Sequence, residues 1–468
     1  MNKFDIAVQK IKELEVSDFS APETQREVFS VIELLCGIIM ELQQENQELR
    51  NEINRQKGEK GKPKFKSNKG TGAKAGEKGK MEPGSKKVWK KGTKVGKIKI
   101  DRTEIIELDK TNLPKDIEFK GYEEKVVQNI IIRTDNVLYR LEKYYSPSLK
   151  KTYTAEMEDS LKDTEFGVET KALISTLYYE NRVTENKIAS FLSSNGLRIS
   201  EGTVSNILIK EQREALTGIK EKIFEAGLKS SIYQQIDDTG IRVSNRNGYA
   251  AIVCNEKYSA FFVNTSKSRE TVKTFLTSLL TSMFTVLVGD DAPQFKGIAR
   301  RYALCWVHEE RHYKKLTPIL DYHKKELSRV RDEIWRYYKK LKDYKKNPTE
   351  QEKIELWEDF DVLFGQKTYY DELNKRLSLT LEKKSELLTV LDYPEVPLQN
   401  YLSENGVREL VMKRKISGGI KTDDGVKAWE NNMSILATCK KLGLSFFDFM
   451  KSVFAKNVTV NLPDLISQ

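Results

Sequence analysis

The chain has 468 residues, 38% hydrophobic and 32% charged, with a net charge of +11 and an isoelectric point near 9.0. The length suits about three domains of ordinary size, and the excess of Lys and Arg points to a polyanionic partner, usually nucleic acid. No apolar run approaches ~20 residues, which excludes a membrane-spanning helix, and the four cysteines (Cys36, Cys254, Cys305, Cys439) form no C-x-x-C pair, which excludes a disulfide framework and a Cys-rich zinc site. Reduced thiols and an N-terminus without the apolar stretch of a signal peptide suit a cytoplasmic, nucleoid-associated protein.

Residues 1–56 are expected to form an N-terminal helix and coiled coil. Ile32, Ile39, Asn46 and Ile53 fall at heptad position a, and Val28, Leu35, Leu42 and Leu49 at d. Ile at a with Leu at d favours a parallel pair, and one Asn at a fixes register, so a homodimer is expected. An amphipathic helix packed on its own domain is the other reading. Residues 57–96 are rich in Lys and Gly and read as a basic flexible linker. Its Lys86, Lys87, Lys90 and Lys91, around Trp89, suit a phosphate backbone. Residues 97–156 read as a small β-rich module. Strands are expected at 98–100, 103–108, 125–133 and 137–145, with a hairpin turn at Asp135-Asn136.

Residues 157–228 read as helical. A short amphipathic helix over 184–192, a break at Asn195-Gly196 and a second helix capped by Ser200 make a helix-turn-helix-like pair. The second helix would carry Thr203, Ser205 and Asn206 towards a DNA groove, with Glu201 beside them. Packing in an all-α core is the competing explanation.

The stretch from Asp237 to Glu404 carries the chemistry. An alternating run from Ile232 ends in Asp237-Asp238, and an apolar strand from Phe284 ends in Asp290-Asp291. A helix beginning near Pro397 carries Glu404, with Arg408 one turn on. Acids gathered in a basic protein repel one another unless a cation lies between them. Their oxygens suit magnesium. Alternation lets one acid of each strand-end pair face such a site, so Asp237 competes with Asp238, and Asp290 with Asp291. The order β-β-β-α-β-α-β-α predicts an α/β catalytic core of RNase H-like fold over 229–312 and 393–420, its first and fourth strands adjacent. An all-α insertion is expected over 313–392 and a helical tail over 421–468.

Several passages in order resemble the bacterial DDE transposases of the insertion-sequence sixty-six family over nearly the whole chain. They are Asp237-Asp238-Thr239, the strand ending in Asp290, Cys305-Trp306-Val307-His308 with Arg311, the run Pro397-Leu398-x-Asn400-x-x-x-Glu404-x-x-x-Arg408, and Arg414-Lys415. The chain departs from the family pattern in lacking the Cys-rich zinc segment. It also has Gln399, Tyr401, Asn405 and Asp291-Ala292 where other residues are usual. The resemblance implies Asp237, Asp290 and Glu404 as catalytic and metal-binding residues, with Asp238 and Asp291 as alternates. These would hold two magnesium ions, or manganese as a substitute, ~3.5–4 Å apart. One ion would activate the nucleophile and the other would stabilise the leaving 3′ oxygen. It implies binding to double-stranded DNA at transposon ends and target, with Arg408, Lys413, Arg414 and Lys415 on phosphates, and accessory transposition proteins as further partners.

Two other readings stand beside it. One is a catalytically inactive or domesticated DNA-binding protein derived from a transposase. The other takes His308-Glu309-Glu310-Arg311-His312 as the H-E-x-x-H helix of a zinc hydrolase.

Overall fold

The computed structural model describes residues 99–109, 118–158, 162, 164–277 and 286–468, with most positions between 28 and 49. The chain divides into two units, residues 44–133 and residues 1–43 with 134–468, each described by itself. The described positions between 28 and 49 are helical. The heptad residues Ile32, Ile39, Leu42 and Leu49 are exposed in the single chain, and Ile53 lies outside the described residues, as do Lys86, Lys87, Lys90 and Lys91.

The β-rich module expected over 97–156 is corrected to one hairpin. Among the described residues no strand forms before β1 (Lys143–Ser146), which pairs antiparallel with β2 (Lys151–Thr154). The turn falls at 147–150 rather than at Asp135-Asn136. Ile105, Ile106, Val127, Ile130 and Ile131, placed in strands by their alternation, are exposed. Alternating β-branched residues fit a pleated, half-covered surface. The pattern alone supplies neither a pairing strand nor a cover.

The helical pair forms as expected. α1 (Val168–Ser175) runs into a π turn at Thr176–Glu180, then come α2 (Glu185–Ser194) and α3 (Glu201–Ile209). Between α2 and α3 Gly196 takes φ 90°, open to glycine at no steric cost. Ser200 Oγ accepts the Thr203 amide at 3.1 Å, satisfying one of the first-turn donors that a helix leaves unpaired. The buried stripes Ile188/Leu192 and Val204/Ile207/Leu208 join one core with α4 (Arg213–Lys229) and the C-terminal helices.

The chain then enters a five-stranded mixed sheet. β3 (Tyr233–Val243), β4 (Arg246–Cys254) and β5 (Ser259–Asn264) are antiparallel neighbours. After α5 (Arg269–Thr277), β6 (Val286–Gly289) and β7 (Arg301–Leu304) run parallel to β3. The order is β5-β4-β3-β6-β7, so the first and fourth strands are adjacent. β6 is buried on both faces. Leu287 belongs to the main core, while Val286 and Val288 pack with Tyr233, Ala303 and Val396 on the other side.

α6 (Trp306–Lys314) leads into the helical insertion. Its helices are α7 (Asp321–Tyr344), α8 (Glu350–Gly365), α9 (Asp371–Leu381), α10 (Lys384–Leu387) and α11 (Thr389–Asp392). The all-α insertion expected over 313–392 is thus helical, its last stretch broken into three short pieces. The insertion has its own core, with Trp306 among Tyr337, Phe360 and Phe364. The chain returns through Leu398, whose carbonyl accepts the Trp306 amide at 3.0 Å. α12 (Tyr401–Ser417) follows, then α13 (Asp423–Lys441), α14 (Phe446–Phe454) and α15 (Leu462–Ser467).

The tail does more than pack. Ser434 Oγ accepts the Phe261 amide at 3.0 Å, Thr438 Oγ1 the Ser259 amide at 3.3 Å and Glu430 Oε1 the Val263 amide at 2.5 Å. Three side chains at i, i+4 and i+8 of α13 thus take the outward amides of β5, the edge strand. Among the described residues no helix is long and apolar enough to cross a membrane.

Candidate active site

β3 and β6 pair with Gln235 beside Val288. Carried two residues further, this register sets Asp237 level with Asp290 at the ends of neighbouring parallel strands. Asp237 stands opposite Ile252 of β4, and cross-strand partners share a face. That face is covered by α12, which approaches so closely at Gly406 that an added Cβ would lie 2.1 Å from Ile252 Cδ1.

Glu404 reaches the same face because the start of α12 is tied to β3. Asn400, fully buried, donates from Nδ2 to the Ile236 carbonyl at 2.7 Å. Gln235 Oε1 accepts the Leu402 amide at 3.0 Å. One strand therefore carries Asp237 and both anchors of the helix that carries Glu404. Asp290 is held in turn: its Oδ1 accepts the Ala292 amide at 3.2 Å and its carbonyl accepts the Tyr302 hydroxyl at 2.5 Å.

The electrostatics single out Asp237. Its carboxyl is pushed up to about 7, first by burial and then by the charges of Asp290, Asp238 and Glu404, against the opposing pull of the Asp238 amide. Removal from water and like charges both disfavour ionisation, and a cation among the acids would reverse both. Three carboxylates acting on one another offer the hard oxygens that a magnesium-like ion takes, so the donor set has the right chemistry, although its oxygens do not all come within 4.8 Å of one another.

The rival acids are engaged elsewhere. Asp238 projects to the other face of β3, where Lys267 Nζ lies 2.6 Å from Oδ1 and Gln294 Nε2 donates to Oδ2 at 2.8 Å. Asp291 pairs with Lys296 at 2.8 Å and with Lys383. Burial raises its pKa, but the two lysines outweigh that and leave it lowered.

Glu404 has a guanidinium and an imidazole as neighbours, and burial followed by the charge of Arg311 lowers the imidazole's pKa. Arg311 Nη2 approaches Oε2 at 3.3 Å and His308 Nε2 lies 3.4 Å from Oε1. The other members of the H-E-x-x-H stretch turn away. Glu309 is buried against Arg376, Lys383 and Thr380, and burial followed by the charge of Arg376 lowers the pKa of His312. Glu309 is thus fixed in the insertion, unavailable as the base that a zinc hydrolase needs, and the third histidine, His323, stacks on Tyr370. The motif match does not gather its residues around one point.

The expected DNA-contacting residues are dispersed. Arg408 is exposed and bonded to Asn405 at 2.9 Å. Arg414, also exposed, donates to the Gly240 carbonyl at 2.8 Å, and Lys415 is exposed. Lys413 faces inward: Nζ donates to the Tyr178 hydroxyl at 2.5 Å, and burial lowers its pKa to about 8. It lines a cavity of about 510 Å³ between the helical pair and α12, with Glu201 and Ser205 on the facing wall. Asn206 is exposed on α3, and Thr203 is partly buried and bonded to Ser200 at 2.9 Å.

Sequence reasoning gave no role to Gln235, Asn400, Tyr302, Lys267, Lys296 or Lys383. Only Asn400 carried a signal, its place four residues before Glu404.

An uncharacterized protein of Sinorhizobium fredii, y4jO, is 41% identical over 166 residues, which cover 36% of this chain and 51% of that protein. The chain thus matches about half the length of that curated relative. A family model described as "Transposase IS66 family" matches residues 163–428, more than half of the chain and all of the sheet, the acids and the helical pair. The chain therefore belongs to the IS66 family of transposases.

Proposed function

We propose that the protein cuts and joins DNA at the ends of a mobile element, with Asp237, Asp290 and Glu404 as its catalytic acids. The observation that carries this reading is the parallel register of β3 and β6, which carried two residues past Gln235 and Val288 sets Asp237 level with Asp290, together with the Asn400 bond that ties the helix of Glu404 to β3. The sheet order, with strands one and four adjacent and helices on the faces, supports an RNase H-like core.

The three acids would hold magnesium, or manganese in its place. Those ions would supply an activated nucleophile and charge stabilisation at the leaving oxygen. The chain's own part is to fix the acids. β3 and β6 set two carboxylates side by side, and the Asn400 and Gln235 anchors fix the third. Arg311 neutralises part of the negative charge of Glu404. Asp238 and Asp291, each paired with lysine, keep the outer ends of the strands from competing for cations. No Ser or Tyr nucleophile is required, since water or a freed 3′ hydroxyl serves.

Arg408, Arg414 and Lys415 present positive charge on exposed parts of α12, beyond Glu404. They suit phosphates, as does the basic linker. The exposed heptad residues suit a coiled-coil homodimer. The protein would act in the cytoplasm at the nucleoid, with accessory proteins where its element encodes them.

The test is magnesium-dependent nicking of a duplex bearing the repeats that flank its gene. Asp237→Asn, Asp290→Asn and Glu404→Gln should each abolish nicking while end binding persists. Nicking that survives these changes refutes the assignment. Binding without cleavage by the unaltered protein, at any magnesium or manganese concentration, favours the inactive, DNA-binding reading, for which the contacts of Glu404 with Arg311 and His308 speak.

A further inference from the structure

Glu404 belongs to a second cluster that its family role does not explain. Among the described residues, the group of three potential ligands whose donor atoms all lie within 4.8 Å of one another is Cys305, His308 and Glu404. Cys305 precedes α6 and His308 lies in its first turn, so a C-x-x-H pair meets a carboxylate from α12.

Two features make this a receptive site for a soft cation. The Cys305 sulfur is buried, and the Asn400 amide points at it at 3.3 Å. Donors aimed at sulfur ease formation of the thiolate, the form that binds metal, against burial, the larger effect, which holds the thiol above its usual range. The His308 imidazole turns Nε2 to Glu404 and has Nδ1 buried without a hydrogen-bond partner; zinc takes one of the two nitrogens, and at Nε2 it would leave Nδ1 as it is. His308 Nε2 and Glu404 Oε1 are 3.4 Å apart. Two ligands each ~2.0–2.1 Å from a tetrahedral zinc stand about 3.3–3.4 Å from one another.

We propose that Cys305, His308 and Glu404 form a zinc-binding site that draws Glu404 away from the magnesium-type site of Asp237 and Asp290. Thiolate and imidazole select zinc over magnesium, which keeps to oxygen. Binding displaces the Cys305 proton to solvent and Arg311 from Glu404. Three protein ligands leave a fourth position for water, as in open zinc sites. Zinc and magnesium thereby compete for one carboxylate through different partners, and zinc acts as an antagonist of cleavage. The binding claim stands on the cluster alone; the antagonism rests on the proposed role of Glu404.

The test uses the full-length protein, freed of metal by chelation. Calorimetric titration with zinc ion should give one site per chain. Cobalt(II) in its place should give a sulfur-to-cobalt charge-transfer band. Cys305→Ser, which keeps an acceptor for the Asn400 amide, should remove the band and weaken zinc binding at least about 100-fold, since loss of a direct ligand exceeds the 10–100-fold of an outer partner. His308→Gln, with unchanged circular dichroism, should weaken binding similarly and keep a weaker thiolate band. Zinc should inhibit magnesium-dependent nicking by the unaltered protein, and Cys305→Ser should shift the inhibitory concentration upward by the same factor. Absence of stoichiometric zinc, or a charge-transfer band that survives Cys305→Ser, overturns the site. Zinc binding with no effect on nicking by an active enzyme overturns the antagonism. Failure of nicking altogether would sink the proposed function and leave the binding result standing.

Discussion

Asn400→Ala is the sharpest perturbation of the clip between strand and helix. The Asn400 side chain is fully buried and donates to the Ile236 carbonyl, one residue before Asp237, at 2.7 Å. Truncation removes that bond and leaves a buried carbonyl short of a donor, which costs about 1–3 kcal/mol. In a chain of this size about 1 °C accompanies each kcal/mol, so melting should fall by about 1–3 °C. The catalytic effect should be larger than the stability effect. With the clip gone, the start of α12 keeps the Leu402–Gln235 bond but is free to shift, and a misplacement of ~1 Å at a reacting centre costs about 100-fold. The assay is single-turnover nicking of the cognate end duplex, read beside a thermal melt and a binding isotherm. We expect binding within threefold of the unaltered protein, nicking down about 100-fold and the modest drop in melting. Nicking within threefold, alongside the expected drop in melting, would refute the reasoning, because the clip would then stabilise the fold without positioning Glu404.

Further outcomes follow from the same structure. Burial and the neighbouring acids push the Asp237 carboxyl up to about 7, well above the usual aspartate range of about 4, so the folded chain holds a proton that the unfolded chain releases. Its contribution to stability is therefore lost as pH rises from about 4 to 7. Asp237→Asn should be more stable than the unaltered protein at pH 8 in chelator, by an amount of order 2–4 kcal/mol. The gap should close towards pH 4; a gap that does not vary with pH contradicts the assignment. Lys413, with its pKa lowered to about 8, works in the opposite range. The unfolded chain binds the extra proton between about pH 8 and 10.5, so this residue destabilises the fold below that window. Lys413→Met should raise the melting temperature at pH 7 and lose its advantage by pH 10.5, as a pH series of melts would show. Gly419 has φ 131°, and a Cβ there would lie 2.2 Å from the Arg242 carbonyl. Gly419→Ala should destabilise by about 2–3 kcal/mol, and a denaturant midpoint equal to that of the parent would show that the loop yields freely.

The parts of the site legible in the sequence were those written into local runs. Apolar strands ending in Asp237 and Asp290 announce themselves, and so does a helix bearing Glu404. The choice between neighbouring acids became physical only when β3 was placed, because Lys267, Lys296 and Lys383 come from α5's approach, the turn after β6 and the insertion. No spacing rule connects them to the acids. Lys413 looked like one more base in a run with Arg414 and Lys415, yet the helix turns it inward onto Tyr178. The alternation at 125–133 misled for the converse reason: it states which side chains suit a sheet, whereas pairing depends on what lies beside them. The H-E-x-x-H match failed on geometry, since α6 turns His308 to Glu404 while Glu309 and His312 lie beside Arg376 of the insertion.

The seal that α13 places on β5 has a consequence for synthesis. Ser434, Thr438 and Glu430 lie some 170 to 180 positions after the amides they cover. While the chain is being made, β5 can pair with β4 long before its guard leaves the ribosome. For that interval the sheet has an open border able to recruit a strand from another nascent chain. Copies cut short before residue 430 would keep every acid of the proposed centre and lose that guard, so aggregation would remove them before any inability to cut DNA mattered.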